Sequence, residues 1–254
     1  MPGGSASFER PVALTGASAS DRHESSRVVR ADRSLNGARA TAGEGELAGQ
    51  TLLVIGGSSG IGLEAARRAR DDGARVIITG RDPERVHAAG RELGASIAAF
   101  DATDPDRLAV FFDELPAPID HVLLAGPGAR HVPLAKFDVE EARRELDARL
   151  LLPLLVARET ANTVRPDGSL ILIGCTDDRL AEQGPTFTSA LNSALAEMTS
   201  GLAHELAPIR VNMLAAGSIH TPADVAELAL HLFTGTAITG AIVEIGRGPR
   251  SLAR

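Results

Sequence analysis

Three glycines spaced G-x-x-x-G-x-G, Gly56, Gly60 and Gly62, mark the first chemistry legible in the chain. They end the run Thr51 to Gly62, TLLVIGGSSGIG, where the apolar residues Leu52 to Ile55 stop and a helical pattern begins at Ile61-Gly62-Leu63-Glu64-Ala65-Ala66. A strand, a tight turn and a helix in that order make a cradle for phosphate. The first glycine lets the chain turn sharply, the second clears the backbone for a diphosphate, and the third lets the helix pack close to the sheet. The helix start adds unpaired N–H groups and the positive end of a dipole. Gly56, Ser58, Ser59, Gly60, Ile61 and Gly62 are therefore candidate ligands of a dinucleotide. A turn kept for packing alone is the alternative.

The end of the second strand bears on which coenzyme. An acid there suits the ribose 2′-hydroxyl of NAD. This chain reads Ile78-Thr79-Gly80-Arg81-Asp82, with Arg81 where a 2′-phosphate would lie and Asp82 one residue late for the acid. NADP(H) is expected over NAD(H), unless Arg81 only pairs with Asp82 or Glu84 in solvent. Other polar residues follow later strands, where ligands bind in open α/β sheets. They are His131 after the fourth strand, Cys175 and Asp177 after the fifth, and His220 after the sixth. A histidine titrating near neutrality can serve as acid or base; each of these also reads as an exposed loop residue. Cys175 is either a reactive thiol or a small buried residue. Asp177-Asp178 has no His or Cys partner at ligand spacing, so no metal is expected.

These residues need a scaffold, and the pattern from Gln50 onward supplies one. Strands are expected at Thr51–Gly56, Arg75–Thr79, Ser96–Phe100, His121–Ala125, Ser169–Gly174, Arg210–Ala215 and Ala241–Ile245. Most are continuous apolar runs, as strands covered on both faces should be. Helices are expected at 60–72, 83–93, 106–115, 139–163, 189–206 and 223–232. The alternation means right-handed crossovers and a doubly wound parallel sheet of seven strands with helices on both faces, one α/β domain over 48–254. Residues 1–47 are rich in Gly, Ala, Ser and Arg without a sustained period, and read as a flexible tail. Arg143, Arg144 and Arg149 alternate with Glu140, Glu141, Glu145 and Asp147, the pattern of a solvated or subunit-facing helix surface.

Composition bounds the partners. At 254 residues and 44% hydrophobic content the chain can build a substantial core, and with no Trp or Tyr that core must be Leu, Val, Ile and Ala. A net charge of -7 argues against nucleic acid, which calls for a basic face. The single cysteine excludes an internal disulfide and fits a reducing compartment. No apolar run approaches a membrane span of about 20 residues. No secretory signal pattern opens the chain, so a cytoplasmic location is expected.

With these motifs in place, the chain from about Gly49 onward resembles a short-chain dehydrogenase/reductase. The glycine turn, Asp101-Ala102-Thr103-Asp104, Ala125-Gly126 and the run Leu202-Ala203-His204-Glu205-Leu206-Ala207-Pro208-Ile209-Arg210-Val211-Asn212 carry the likeness. So do Ala216-Gly217, Thr221-Pro222 and the closing Thr239-Gly240-Ala241-Ile242-Val243-Glu244-Ile245. The resemblance implies that Asp101 contacts the adenine, that Ala125 and Gly126 border the cofactor, and that Thr221 meets the nicotinamide carboxamide. It also implies a homo-oligomer paired through the fourth and fifth helices, where Ala190, Leu191, Ala194, Leu195 and Met198 form an apolar stripe that also reads as plain core.

Members of the family reduce carbonyls or oxidise alcohols with Asn, Ser, Tyr and Lys. The tyrosine donates the proton, and the lysine lowers its pKa and holds the ribose. Aligned on Leu202-Ala203, the Tyr position is Thr188, the Lys position Asn192 and the Ser position Cys175, and the Asn position falls at or beside Arg149. The whole catalytic set is replaced. A threonine hydroxyl is too weak an acid to stand in for tyrosine, and a positioned general acid is worth roughly 10²–10⁴-fold. The segment that normally covers the substrate is also nearly gone, because Thr221-Pro222 leads directly into a helix. Two readings stay open. One is an oxidoreductase acting on a small molecule with His131, His220 or an ordered water as donor. The other is a non-redox relative that keeps the nucleotide while acting as a cyclase, a dehydratase or a binding subunit.

Overall fold

The structure, a computed structural model, describes residues 28–31, 45–116, 118–126, 133–175, 186–216 and 221–245. Eight strands form one sheet: β1 (Val28–Ala31), β2 (Thr51–Ile55), β3 (Arg75–Gly80), β4 (Ser96–Ala99), β5 (Ile119–Leu124), β6 (Val164–Gly174), β7 (Arg210–Ala215) and β8 (Ile242–Ile245). Their order is β1-β8-β7-β6-β5-β2-β3-β4, and every pairing is parallel. The seven expected strands are all present. The eighth, β1, comes from the stretch read as a tail, and pairs Val28 with Ile242 and Ala31 with Ile245. Leu47 belongs to the folded unit as well, with its side chain fully buried.

Among the described residues seven α-helices connect these strands. They are α1 (Gly60–Asp71), α2 (Pro83–Leu93), α3 (Pro105–Asp113), α4 (Val139–Leu146), α5 (Leu152–Thr163), α6 (Thr186–Glu205) and α7 (Pro222–Thr234). Several starts follow from local chemistry. Asp82 caps α2, Asp104 caps α3 and Asp138 caps α4, each accepting backbone N–H groups of the first turn. Thr221 and Asp224 form a reciprocal capping box on α7.

The continuous helix expected over 139–163 is instead two helices joined by a π turn at Asp147–Leu151. Pro153 explains the break. It has no N–H to offer the carbonyl of Arg149, and its ring crowds that carbonyl. A π turn of this kind inside a helix often marks a functional position.

Because side chains alternate along a strand, the central strands feed two cores. Leu53, Ile55, Val122, Leu124, Leu170, Leu172, Val211 and Met213 pack on the face covered by α3, α5 and α6. Leu52, Val54, Leu123, Ile171, Leu214 and Val243 pack on the other face, with Ala65 and Ala69 of α1 and Val225 and Phe233 of α7. Within the stripe named above, Leu191 and Leu195 are buried inside the subunit, while Ala190 and Ala194 are exposed. Leu151 and Leu154, just before and within α5, remain exposed. Among the described residues no helix is long and apolar enough to cross a membrane.

Candidate functional site

The strand order reverses between β2 and β5, and there the two crossovers part above the carboxyl ends of the sheet. The turn after β2 is built tightly. Gly56 has a φ of 86°, and a Cβ there would lie 2.1 Å from the Ala125 carbonyl oxygen. The Gly56 and Gly57 amides donate to the Thr79 carbonyl at 3.1 and 2.9 Å, and the Ala125 amide donates to the Ile55 carbonyl at 2.9 Å. A Cβ on Gly62 would come within 2.3 Å of the Gly56 carbonyl oxygen, so α1 rests directly on the turn. At Gly60 nothing would meet a Cβ within 4 Å, because that position faces open space.

Helix α1 differs from α2, α3, α4 and α7 at its start. Ser59 makes no side-chain cap, and the first turn holds no acid. Its early N–H groups are left for a ligand, with the positive end of the dipole behind them.

These residues open onto a cavity of about 630 Å³. Gly56, Ser58, Ser59, Gly60, Ile61 and Gly62 line its middle, Arg81 and Asp101 one end, and Ala125, Gly126 and Cys175 the other side. Asp82, Arg85, Phe100, Arg149, Leu152, Ala216 and Pro222 also line it. The wall follows the carboxyl ends of β4, β3, β2, β5, β6 and β7 in their order across the sheet.

At the first end, Arg81 is exposed, and no carboxylate among the described residues pairs with it. Asp82 is engaged elsewhere: its Oδ1 accepts the Glu84 and Arg85 amides at 3.0 and 3.2 Å. Asp82 thus caps α2 while also lining the cavity. Asp101 accepts from the Thr103 amide at 3.1 Å and hydroxyl at 2.8 Å, which fixes the loop that carries it.

The catalytic candidates are distributed differently. Cys175 is half-buried on the cavity wall. Thr188 is buried in α6, beside a second small cavity of about 20 Å³ lined by Phe137, Phe187 and Glu145, and Asn192 lies half-buried one turn on. Neither lies on the wall of the main cavity. Thr221 is committed to its capping box, donating its hydroxyl to Asp224 Oδ2 at 2.8 Å, although its neighbour Pro222 reaches the wall. His131, His220, Asp177 and Asp178 lie outside the described residues.

Arg149 corrects the sequence reading. Arg143 and Arg144 are exposed, as a solvated surface requires, but Arg149 is buried to 8% exposure and faces the cavity. The charge alternation along this helix masked it. Two signals were available: the family resemblance, which puts the Asn position at or beside Arg149, and Pro153, four residues on, which opens the π turn around it.

A separate polar cluster sits at the opposite, amino end of the strands. His121 is buried between Gln50 and Ser169: its Nε2 lies 2.6 Å from Gln50 Oε1 and its Nδ1 2.9 Å from Ser169 Oγ. Gln50 Nε2 donates to the Glu46 carbonyl at 3.0 Å, so Oε1 faces the imidazole and accepts from Nε2–H. Burial, with the nearby Arg210 and Arg165 cations, pushes His121 down to about 4. Asp120 alongside accepts the Thr51 amide at 2.7 Å and pairs with Arg165. Arg210 donates to the Leu232 and Phe233 carbonyls at 2.7 and 2.8 Å, closing the end of α7. The cluster joins β2, β5, β6, β7 and α7.

The comparisons with known proteins agree with this architecture. Residues 55–243 match the family model described as enoyl-(acyl carrier protein) reductase. The short-chain dehydrogenase/reductase fsr5 of Gibberella fujikuroi is 31% identical over 196 residues, covering 69% of this chain and 74% of that protein. The solved structure of the MalC reductase/Diels-Alderase from Malbranchea aurantiaca superimposes with a TM-score of 0.72 at 25% identity, over 80% of this chain and 96% of that one. The structure of BdcA, solved in complex with NADPH, has a TM-score of 0.72 at 26% identity, over 79% of this chain and 94% of that one. With the family model spanning most of the chain and a relative this similar, the protein belongs to the short-chain dehydrogenase/reductase family.

Proposed function

We propose that this protein binds NADP(H) in the cleft above β2 and β5 and is an oxidoreductase of a small-molecule carbonyl or alcohol. One observation carries the reading. A single cavity runs from Arg81 and Asp101, past the uncapped start of α1, to Cys175 and Pro222. The NADPH bound to the structurally similar BdcA supports it. In this assignment the N–H groups after Ser59 receive the diphosphate, Arg81 receives the 2′-phosphate and Asp101 borders the adenine. Ala125 and Gly126 flank the middle of the cofactor. Bound there, the dinucleotide supplies a hydride.

The chain must then supply a proton to the alkoxide formed on the substrate. With no tyrosine anywhere in the sequence, that duty falls to His131, His220 or an ordered water, with Cys175 on the wall nearby. Oxidation of NADPH over a panel of carbonyl compounds tests the reaction. Alanine at the donor histidine should lower kcat by about 10²–10⁴-fold. Unchanged rates for both His131→Ala and His220→Ala would assign the proton to water.

The coenzyme choice has its own test. NADPH should bind more tightly than NADH, and Arg81→Ser should weaken NADPH about 10- to 100-fold while leaving NADH unaffected, because a charge-assisted hydrogen bond is lost. Tighter NADH binding by the unaltered chain would reverse the assignment.

A second reading is a non-redox enzyme or binding subunit that keeps the nucleotide. The placement of Thr188 and Asn192 off the cavity wall favours it, as does a structural relative described as both reductase and Diels-Alderase. Tight NADPH binding with no oxidation on any substrate of the panel would select it.

A further inference from the structure

The guanidinium of Arg149 is a buried cation whose ion-pair partner among the described residues, Glu145, stands too far away to accept a hydrogen bond. Its side chain is 8% exposed, and Nη1 has no hydrogen-bond partner among the described residues. Glu145 Oε2 stands 3.9 Å away, beyond hydrogen-bond length, on a side chain that is 17% exposed. Burying a charge in this way is costly unless something satisfies it. The side chain lines the main cavity on the side of Leu152, Ile173, Gly174 and Cys175, across the glycine turn from Arg81. A π turn, rather than an ordinary helical turn, holds it there.

We infer that Arg149 is a cofactor-binding residue that grips the nicotinamide half of NADP(H), donating to the hydroxyls of the ribose next to the nicotinamide. The inference rests on the NADP(H) reading above and assigns a residue to the half of the cofactor that reading left without a polar anchor.

Three observations narrow the partner. A guanidinium only donates, so the missing atom is an acceptor oxygen. The adenosine end is served by Arg81 and Asp101, and the diphosphate by the start of α1 in the middle of the cavity. Asn192, at the position where the resemblance places a ribose-holding lysine, is uncharged and off the cavity wall. The positive charge at the reacting end of the cleft therefore comes from α4–α5 rather than from α6. Arg149 cannot act as the proton donor, and its role is to hold and orient.

The test is a titration of the full chain with two probes, NADP⁺ and adenosine 2′,5′-bisphosphate, the latter lacking the nicotinamide ribose. Arg149→Met should weaken NADP⁺ about 10- to 100-fold, the value of a hydrogen bond to a charged group. It should leave the bisphosphate within about twofold. Its Tm should change by less than about 5 °C, because methionine fills similar space and the ion-pair partner given up, Glu145, stands 3.9 Å away. Arg149→Lys, which keeps the charge but not the reach or the fork, should fall between the two.

Three results overturn the inference alone: NADP⁺ affinity of Arg149→Met equal to that of the unaltered chain; an equal loss for both probes; or a fall in Tm beyond about 5 °C, which would show that the cation is satisfied within the protein. An unaltered chain that binds neither probe would overturn the cofactor reading, and this inference with it.

Discussion

A Gly56→Ala chain is expected to lose at least about 3 kcal/mol of stability together with nearly all NADPH binding. Two costs combine. The backbone at Gly56 has a φ of 86°, where an L side chain is strained, and the new Cβ would sit 2.1 Å from the Ala125 carbonyl oxygen. That oxygen cannot retreat freely. The amide of the same residue is bound to the Ile55 carbonyl at 2.9 Å, and the ends of β2 and β5 move together. Relief would part the strands where the cofactor cleft begins.

Gly94→Ala separates the two costs. Gly94 also has a positive φ, 63°, at the end of α2, but a Cβ there meets nothing within 4 Å. It should cost about 1 kcal/mol and leave NADPH affinity unchanged. Urea unfolding and a fluorescence titration of each variant decide the matter. A Gly56→Ala protein as stable as Gly94→Ala would show that the turn adapts, and would remove the tight cradle from the account.

Stability should also fall in acid through His121. The imidazole titrates near 6.5 in the unfolded chain and near 4 when folded, so between those values the unfolded chain binds the extra proton. The contribution is fully present above pH 6.5, is lost as pH falls, and levels off below pH 4. At pH 5 the loss relative to pH 8 is about 2 kcal/mol from this group. The cause is local. Phe233 packs 5.1 Å from the ring, and Arg210 and Arg165 oppose a second positive charge, with Asp167 partly offsetting them. Nδ1 accepts from Ser169, so a proton on Nδ1 would reverse that bond and turn the Ser169 hydroxyl away to another acceptor.

Other groups titrate over the same range, so the decisive quantity is the difference between the unaltered chain and His121→Gln. Glutamine cannot charge, and the variant should lack this part of the acid dependence. Urea unfolding at pH 5 and pH 8 measures it. A gap between the two proteins that is the same at both pH values would rule out His121 as the source.

Much of the architecture was determined by the sequence alone because its signals are local. Short continuous apolar runs such as Leu52 to Ile55, bounded by turn glycines, suit strands covered on both faces. Asp82, Asp104 and Asp138 announce helix starts by the chemistry of their own side chains. The G-x-x-x-G-x-G spacing located the cleft, and the residues assigned to it from Gly56 to Gly62, with Arg81, Asp101, Ala125, Gly126 and Cys175, line one cavity.

What the tertiary structure decided depends on contacts between distant segments. Val28–Ala31 has no periodic signal of its own and becomes a strand only against the edge of β8. His121 reads as one residue of an apolar strand until Gln50, Ser169 and Phe233 close around it. Arg149, in a helix whose charges alternate like those of any solvated surface, is turned inward by the backbone break at Pro153 and enclosed against the cavity. Burial of a charge is a property of everything packed around it. No spacing within the helix records it, although the family resemblance already sets the Asn position at or beside Arg149.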